Sequence, residues 1–449
     1  MLIRFVVSNF LSFNEETEFN MLAGSFKTHK HHVYNAGKVD VLKAAAIYGA
    51  NGAGKSNLIK AIDFFQEIVK EGGVTKSIKD KKFRLNEANN EKPSTFEMEF
   101  SIEKKIYTYG VSIRHNNIIE EWLYESGVTT EDKMLFERTQ TKAGKSTIKM
   151  AEKFKKSKKS ELLIELMEDN LLKHNEILLG KSDSLKIDEI SKIREWLDSN
   201  ILIIYPKSKF GGLVPILTLS EEFKIFANEL LRTFDTGVNE LEIETIDFED
   251  YFGKDEEKLK EELIEKLSDN ELEYLRINAH EGRLMVGKEG GRYVVKKAVA
   301  LHKDDKGTNV AFDLNDESDG TQRLLDFIPT FYGILERNVT FIIDEIDQSL
   351  HPALLQTLVH KIMTDEDTKG QFIFTTHESN LLDLDIFRQD EIWFVEKDKN
   401  KGSTKLYSLS EFKPRYDLDI RKGYLKGRFG AIPFLARLED LNWHSTHGV

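Results

Sequence analysis

Gly49-Ala50-Asn51-Gly52-Ala53-Gly54-Lys55-Ser56 is the stretch that decides how this chain reads. Glycines at 49, 52 and 54 let the backbone curl until several N–H groups point into one cavity. Such a nest at a helix N-terminus suits phosphate charge. On that reading Asn51, Gly52, Ala53, Gly54, Lys55, Ser56 and Asn57 line a nucleotide, with the Lys55 ammonium on the β- and γ-phosphates and the Ser56 hydroxyl on Mg²⁺. The pattern needs a strand before it and a helix after it. Val41–Tyr48 has the composition of the strand, and Leu58, Ile59, Ala61, Ile62, Phe64, Phe65 and Ile68 recur at helical spacing behind it.

Working outward, Thr340-Phe341-Ile342-Ile343-Asp344-Glu345 is an apolar strand that ends on two carboxylates. Open α/β sheets place ligands at that end of their strands. Asp344 is the candidate Mg²⁺ holder and Glu345 the candidate base that polarises an attacking water. Upstream, Glu317-Ser318-Asp319-Gly320-Thr321-Gln322-Arg323 opens a helix. Ser318 and Gly320 there read either as a plain N-cap or as a second anion site, one that makes sense if it completes the γ-phosphate site of another subunit. Downstream, Asp347-Gln348-Ser349-Leu350-His351-Pro352 follows the carboxylates, and Phe374-Thr375-Thr376-His377 ends another apolar run on a histidine placed to meet phosphate or water.

The composition frames these motifs. The 449 residues exceed one compact core and predict two or three lobes. Zero cysteines exclude disulfides, thiolate metal sites and a cysteine nucleophile. A net charge of −13 argues against a uniformly basic nucleic-acid coat. The N-terminus lacks a signal-peptide pattern and no run is long enough to span a bilayer, so a cytoplasmic protein with no membrane partner is expected. Phe96-Glu97-Met98-Glu99-Phe100 alternates and Ile106–Val111 is rich in strand formers, which predicts a β lobe. Ser160–Leu179 and Asp255–Leu275 carry Glu, Lys and Leu at helical spacing. The expected division is an N-terminal lobe over 1–125, an inserted, mainly helical subdomain over 126–280, and a C-terminal lobe over 281–449.

In this order, the glycine loop, the Ser-x-Gly stretch, the Asp-Glu strand, the Asp347 loop and the strand-end histidine resemble the ATP-binding-cassette ATPases, in the branch of RecF, Rad50, SMC and OLD proteins. Ser8-Asn9-Phe10-Leu11-Ser12-Phe13 is similar to the opening strand of that branch. Ile47–Asn57, Glu317–Arg323, Ile343–Pro352 and the tail Tyr424–Pro433 resemble the AAA15 family, whose members occur in phage-defence and abortive-infection operons. The ATPase subunit of the PARIS system is of this general type. The resemblance implies an α/β, ABC-type P-loop ATPase head with an N-terminal antiparallel β subdomain. It implies ATP and Mg²⁺ as cofactors, Glu345 and His377 as catalytic groups, Ser318 and Gly320 as the signature acting in trans, and Asp347 as the D-loop residue. It also implies a homodimer, or higher homo-oligomer, closed around ATP. The signature departs from transporter cassettes at Asp319 and Thr321. No glutamine fills the Q-loop place, for which Lys82-Phe83-Arg84-Leu85-Asn86 stands nearest.

Three functions are compatible with these residues: a defence or signalling ATPase that controls a separate effector protein such as a nuclease or toxin, a repair ATPase acting on DNA, and a nucleotide-binding antitoxin or scaffold with little turnover. Lys142, Lys145, Lys149, Lys153, Lys155, Lys156, Lys158 and Lys159, opposed only by Glu152, form a candidate nucleic-acid contact or a solvated face. His29, His31 and His32 read as a metal cluster only weakly, since no cysteine or suitably spaced acid accompanies them.

Overall fold

A computed structural model describes residues 1–127, 130–141, 145–155, 158–210, 212–253, 256–269, 274–279, 282–415 and 418–431. The chain forms two compact units. One comprises Met1–Tyr205, Arg337–Ile346 and Met363–Val449, the other Pro206–Glu336 and Asp347–Ile362.

The first unit is built on a six-stranded sheet in the order Ile201–Ile204, Thr340–Ile343, Gln371–Thr376, Ala44–Gly49, Ile392–Lys397, Thr404–Ser408. The first five strands run parallel and the last antiparallel. Ala44–Gly49, Thr340–Ile343 and Gln371–Thr376 are buried along their whole length, which is why they read as unbroken apolar runs and not as alternation. A seven-stranded antiparallel sheet runs Ser146–Met150, Lys133–Gln140, Asn117–Glu125, Lys105–Arg114, Ser94–Ile102, Leu2–Ser8, Thr17–Asn20. Its two-residue turns Glu103-Lys104 and His115-Asn116 have positive φ at both positions, the geometry that matches strand twist. Phe96, Met98 and Phe100 point to the core and their glutamate neighbours do not.

The helix Lys55–Glu71 buries Leu58, Ile59, Ala61, Ile62, Phe64, Phe65, Ile68 and Val69 and ends on Gly72 in the left-handed conformation. Phe65 packs on Phe5, Phe96 and Tyr109, so this helix, which starts at the glycine loop, is fixed by the antiparallel sheet. Gln371 ties the elements at the other end. Its amide gives hydrogen bonds to Leu2 O at 2.8 Å and Leu42 O at 3.0 Å and takes them from Leu2 N at 2.6 Å and Thr340 Oγ1 at 2.7 Å.

The second unit has a five-stranded sheet centred on the long strand Arg292–Lys303, which pairs with Glu240–Asp247, Gly282–Glu289 and Asn309–Asp313. The helices Leu213–Leu219, Glu221–Thr233 and Asp319–Glu336 share one core with it through Leu213, Phe223, Leu231, Leu324 and Ile328. A smaller cluster joins Phe248, Phe252, Leu263 and Leu267 to Leu284, Val286 and Val295.

The fold is mixed α/β with an antiparallel sheet, but the units do not divide at 125 and 280. Lys133–Gln140 and Ser146–Met150 extend the N-terminal antiparallel sheet, and Ile201–Ile204 belongs to the parallel one, so the first crossing falls after Tyr205. The segment 126–280 therefore carries strands as well as its helices. The physical reason is visible at Arg138, a charged residue buried against Glu121 on a strand whose charges disguise its period.

Candidate functional site

Ala44–Gly49 delivers the glycine loop to the end of the parallel sheet. A side chain at Gly49 would stand 2.4 Å from Val395 O. Gly54 has φ +119°, and a Cβ there would lie 2.2 Å from Thr404 Oγ1. These two positions admit only glycine because the backbone is pressed against the neighbouring hairpin. Thr404 Oγ1 lies 2.8 Å from Ala53 O, which can only accept, so it gives its proton there and takes one from Ser12 Oγ at 2.7 Å. Asn57 Nδ2 in turn donates to Ser12 Oγ at 2.8 Å. A relay of hydroxyls thus clamps the loop from the outside.

Inside the loop, the Lys55 side chain is buried and its ammonium donates to Gly49 O at 2.8 Å and to His377 Nε2 at 2.9 Å. An ammonium has no acceptor, so His377 Nε2 accepts and its proton sits on Nδ1. Ser56 Oγ donates to Asp344 Oδ1 at 3.1 Å, and Thr375 Oγ1 donates to the same oxygen at 2.7 Å. Thr375 Oγ1 also accepts from Glu345 N at 2.8 Å. One threonine on the next strand therefore holds the Asp344 carboxylate and the Glu345 backbone. Glu345 has φ +52°, a strained backbone for a residue with a Cβ and the kind of outlier found at functional sites.

Ser56, Asp344, Lys55, Glu345 and His377 converge in this way. Adjacent ligands of an octahedral magnesium at 2.0–2.1 Å stand about 2.9 Å apart. The Ser56 and Asp344 oxygens, 3.1 Å apart, fit that spacing and offer the hard oxygen donors the ion prefers. Asn51, Gly52 and Ala53 form the loop itself, and a Cβ on Gly52 would meet nothing within 4 Å, so this part of the cradle is open.

Ser318, Gly320 and Asp347 fall in the second unit. Ser318 Oγ accepts from Thr321 N at 3.2 Å and lies 3.0 Å from Thr321 Oγ1, an N-cap on the helix Asp319–Glu336. A Cβ on Gly320 would come within 3.2 Å of Ser349 O, in the loop that begins at Asp347.

The stretch Lys82–Asn86 serves the fold, since the buried Lys82 ammonium holds the carbonyls of Asn90 at 2.6 Å and Lys92 at 2.9 Å. The strand beside Thr340–Ile343 is instead Ile201–Ile204, and it ends on Tyr205. Tyr205 Oη donates to Asp63 at 2.7 Å, on the helix that follows the loop. Burial, then Asp63 and Asp344, push the phenol's pKa far above its ordinary value and keep it a donor. Thr375, Thr404 and Tyr205 escaped the sequence reading. The only signal for Ser12 was its place in the Ser8–Phe13 opening.

The lysine run is less basic than it reads. Lys142 and Lys156 lie outside the described residues. Lys145 pairs with Asp169 at 3.2 Å, Lys149 with Glu137 at 3.3 Å, Lys153 with Glu189 at 2.6 Å and Lys155 with Glu152 at 3.1 Å. Acids distant in sequence oppose it, not Glu152 alone. In the tail, Tyr424 and Phe429 stack on Phe394 of the strand next to the glycine loop, while Ile432 and Pro433 are outside the described residues. Among the described residues no helix is long and apolar enough to cross a membrane.

A family model described as "AAA domain, putative AbiEii toxin, Type IV TA system" matches residues 44–383, a span that holds Lys55, Asp344, Glu345 and His377. No curated protein matches the sequence. Among solved structures the chain is similar to the SMC head domain from Thermotoga maritima, at 13% identity over 91% of this chain and 98% of that one, with a TM-score of 0.39. It is similar also to an Smc head bound to the C-terminal winged-helix domain of ScpA, at 15% identity over 92% and 99%, TM-score 0.41. A third is the Smc head with an extended coiled coil bound to the C-terminal domain of ScpA from Pyrococcus furiosus, at 14% identity over 95% and 99%, TM-score 0.41.

Proposed function

This chain belongs to the AAA-domain family of the AbiEii toxin type, and from that premise we propose that it binds Mg–ATP and hydrolyses it to ADP and phosphate. The observation that carries the reading is the convergence of Lys55, His377, Ser56 and Asp344 at the end of one parallel sheet, with Glu345 set beside them by Thr375. The Lys55 ammonium exchanges Gly49 O and His377 Nε2 for β- and γ-phosphate oxygens, and the loop N–H groups take the rest of that charge. Ser56 and Asp344 would hold the magnesium ion, which would supply positive charge opposite the phosphates. Glu345 polarises the attacking water, with its backbone pinned so that the carboxylate keeps one direction. His377 presents its imidazole to the γ-phosphate held on Lys55.

Ser318 and Gly320 from a second copy complete the site. Their place at the N-terminus of an 18-residue helix supports this, because a helix start attracts anions. Asp347 lies in the loop packed on that turn. ATP then closes a homodimer and hydrolysis releases it. In the cytoplasm the nucleotide state acts on a separate effector, as the regulatory ATPase of an abortive-infection or toxin–antitoxin type of system. The family's toxin–antitoxin description supports that role over DNA repair, and so do the acids that pair with Lys145, Lys149, Lys153 and Lys155.

Light scattering of the Glu345→Gln protein with Mg–ATP tests the mechanism. A dimer that accumulates while phosphate release stops is the expected result. Turnover unchanged in Glu345→Gln, or ATP binding unchanged in Lys55→Ala, overturns the assignment.

A further inference from the structure

Outside the nucleotide site, three imidazoles meet in one place. His29, His31 and His32 surround a single helical turn, Lys30–His32, and one ring nitrogen of each lies within 4.8 Å of those of the other two. The His29 and His32 rings stack at 4.9 Å, and His31 stands edge-on to His32 at 4.4 Å. His29 reaches this position only by taking φ +47°, a left-handed backbone that costs a side-chain-bearing residue about 1 kcal/mol or more.

We propose that His29, His31 and His32 form a binding site for a first-row divalent metal ion of the zinc class, with Glu391 as the supporting carboxylate. Nitrogen donors select such ions over magnesium and calcium, which prefer oxygen. The decisive feature is the acid that the sequence left out of reach. Glu391 is fully buried, its two oxygens stand 3.0 Å from His32 Nδ1, and one of them accepts from Arg388 N at 2.8 Å. A carboxylate fixed behind one ring nitrogen orients the imidazole so that the other nitrogen faces the ion, the usual outer support of a metal-ligating histidine.

His32 Nε2 faces Met363 O at 2.7 Å, and His31 Nε2 faces the same oxygen at 2.8 Å. His29 Nε2 lies 2.8 Å from Leu384 O. A carbonyl oxygen only accepts, so in the metal-free chain each of these Nε2 atoms carries a proton and donates it, and the His31 and His32 Nε2 groups converge on one oxygen. Binding requires each Nε2 to give up its proton with Nδ1 protonated instead; at His32 the proton of the buried Glu391 carboxyl passes to Nδ1, the Nε2 proton is released, and Glu391 becomes the carboxylate that accepts from Nδ1. Four-coordinate zinc with Zn–N of 2.0–2.1 Å sets its ligands about 3.4 Å apart, so side-chain rotation closes the present spacing. The fourth position is left to water or to Met363 O. The ion then clips residues 29–32 to the segments at Met363 and Leu384 and to the start of the strand Ile392–Lys397.

The test is a zinc titration of the full, chelator-treated chain by calorimetry, alongside His29→Gln and Glu391→Gln. One zinc per chain with a micromolar or tighter Kd is expected. His29→Gln should weaken binding a hundredfold or more, and Glu391→Gln ten- to a hundredfold. Cobalt in place of zinc should give the visible absorption of a four-coordinate ion, lost in His29→Gln. An unchanged stoichiometry in Asp344→Asn separates this site from the nucleotide site. Zinc binding that is millimolar in the intact chain, or that His29→Gln leaves unchanged, overturns the proposal, and either outcome is independent of ATPase activity.

Discussion

Glu345, the residue proposed to polarise the attacking water, holds a left-handed backbone at φ +52°. Glycine would relieve that strain, by roughly 1–2 kcal/mol, while loosening the unfolded chain by roughly 0.5–1 kcal/mol. Glu345→Gly is therefore expected to be as stable as the parent or slightly more so, and more stable than Glu345→Ala, which keeps the strained Cβ, while neither turns over ATP. Thermal melts of the two variants decide it, and a Gly variant that melts well below the Ala variant would contradict the strain argument. Thr375 supports a second prediction. Its hydroxyl both donates to Asp344 and accepts from Glu345 N, so Thr375→Val should retain ATP binding but lose at least tenfold in turnover. The measurement is kcat beside a nucleotide Kd, and a loss of affinity alone would refute it. Lys55, Ser56, Asp344, Glu345 and His377 were legible because each stands at a fixed offset from a glycine loop or an apolar strand. Thr375 was not, because a threonine in a strand is ordinary and only the register with Asp344 reveals its use.

At the level of strands and turns, buried polar residues join elements that sequence distance hides. Gln371 satisfies four backbone and side-chain groups from three other segments. Gln371→Leu would leave them unpaired in the core and is expected to cost about 3 kcal/mol or more in urea unfolding. A loss within about 0.5 kcal/mol would show that these groups re-pair. The His32–Glu391 contact makes a pH prediction for the metal-free chain. Burial lowers His32 from 6.5 to about 4 and raises Glu391 well above 4.5. Folded, the pair keeps one proton, on Glu391. Unfolded, it binds one between pH 4.5 and 6.5 and none above, so its contribution to stability is flat in that window. Above 6.5 the folded state binds the extra proton, and stability falls as pH rises, by roughly 1.4 kcal/mol per pH unit until Glu391 ionises. Urea-unfolding free energies measured upward from pH 6.5 should show this fall in the parent and lose it in Glu391→Gln. Equal slopes would refute the assignment of the proton. These contacts explain why the middle of the chain resisted reading. Lys133–Gln140 looks like a charged, helix-prone stretch until Arg138 is seen buried between Glu121 and the carbonyls of Lys173 and Glu176. Periodicity finds strands whose faces are apolar and polar, not strands whose core face carries a paired charge.

Across the whole molecule the chain crosses between its two units four times, after Tyr205, Glu336, Ile346 and Ile362. The second and third bracket the stretch that carries Asp344 and Glu345, so the glycine loop and those carboxylates share one unit while Ser318 and Asp347 belong to the other. Tryptophan placement makes this division measurable. Trp122, Trp196 and Trp393 lie in the first unit, Trp443 is outside the described residues, and the second unit's sequence contains none. Tryptophan emission therefore follows the first unit, whereas far-UV circular dichroism follows both. Saturating Mg–ATP stabilises whatever folds with the site by RT ln(1 + [L]/Kd), about 2.7 kcal/mol at a hundredfold excess over Kd. In Ser318→Ala, where the proposed trans contact is removed, the emission midpoint should rise by that amount while a helix- and sheet-rich part of the dichroism signal stays in place. In the parent the two signals should move together, because the second unit then also engages nucleotide. Lys55→Ala should move neither. Coincident shifts in Ser318→Ala would mean that the two units unfold as one cooperative body, and separate shifts in the parent would mean that Ser318 takes no part in the nucleotide site.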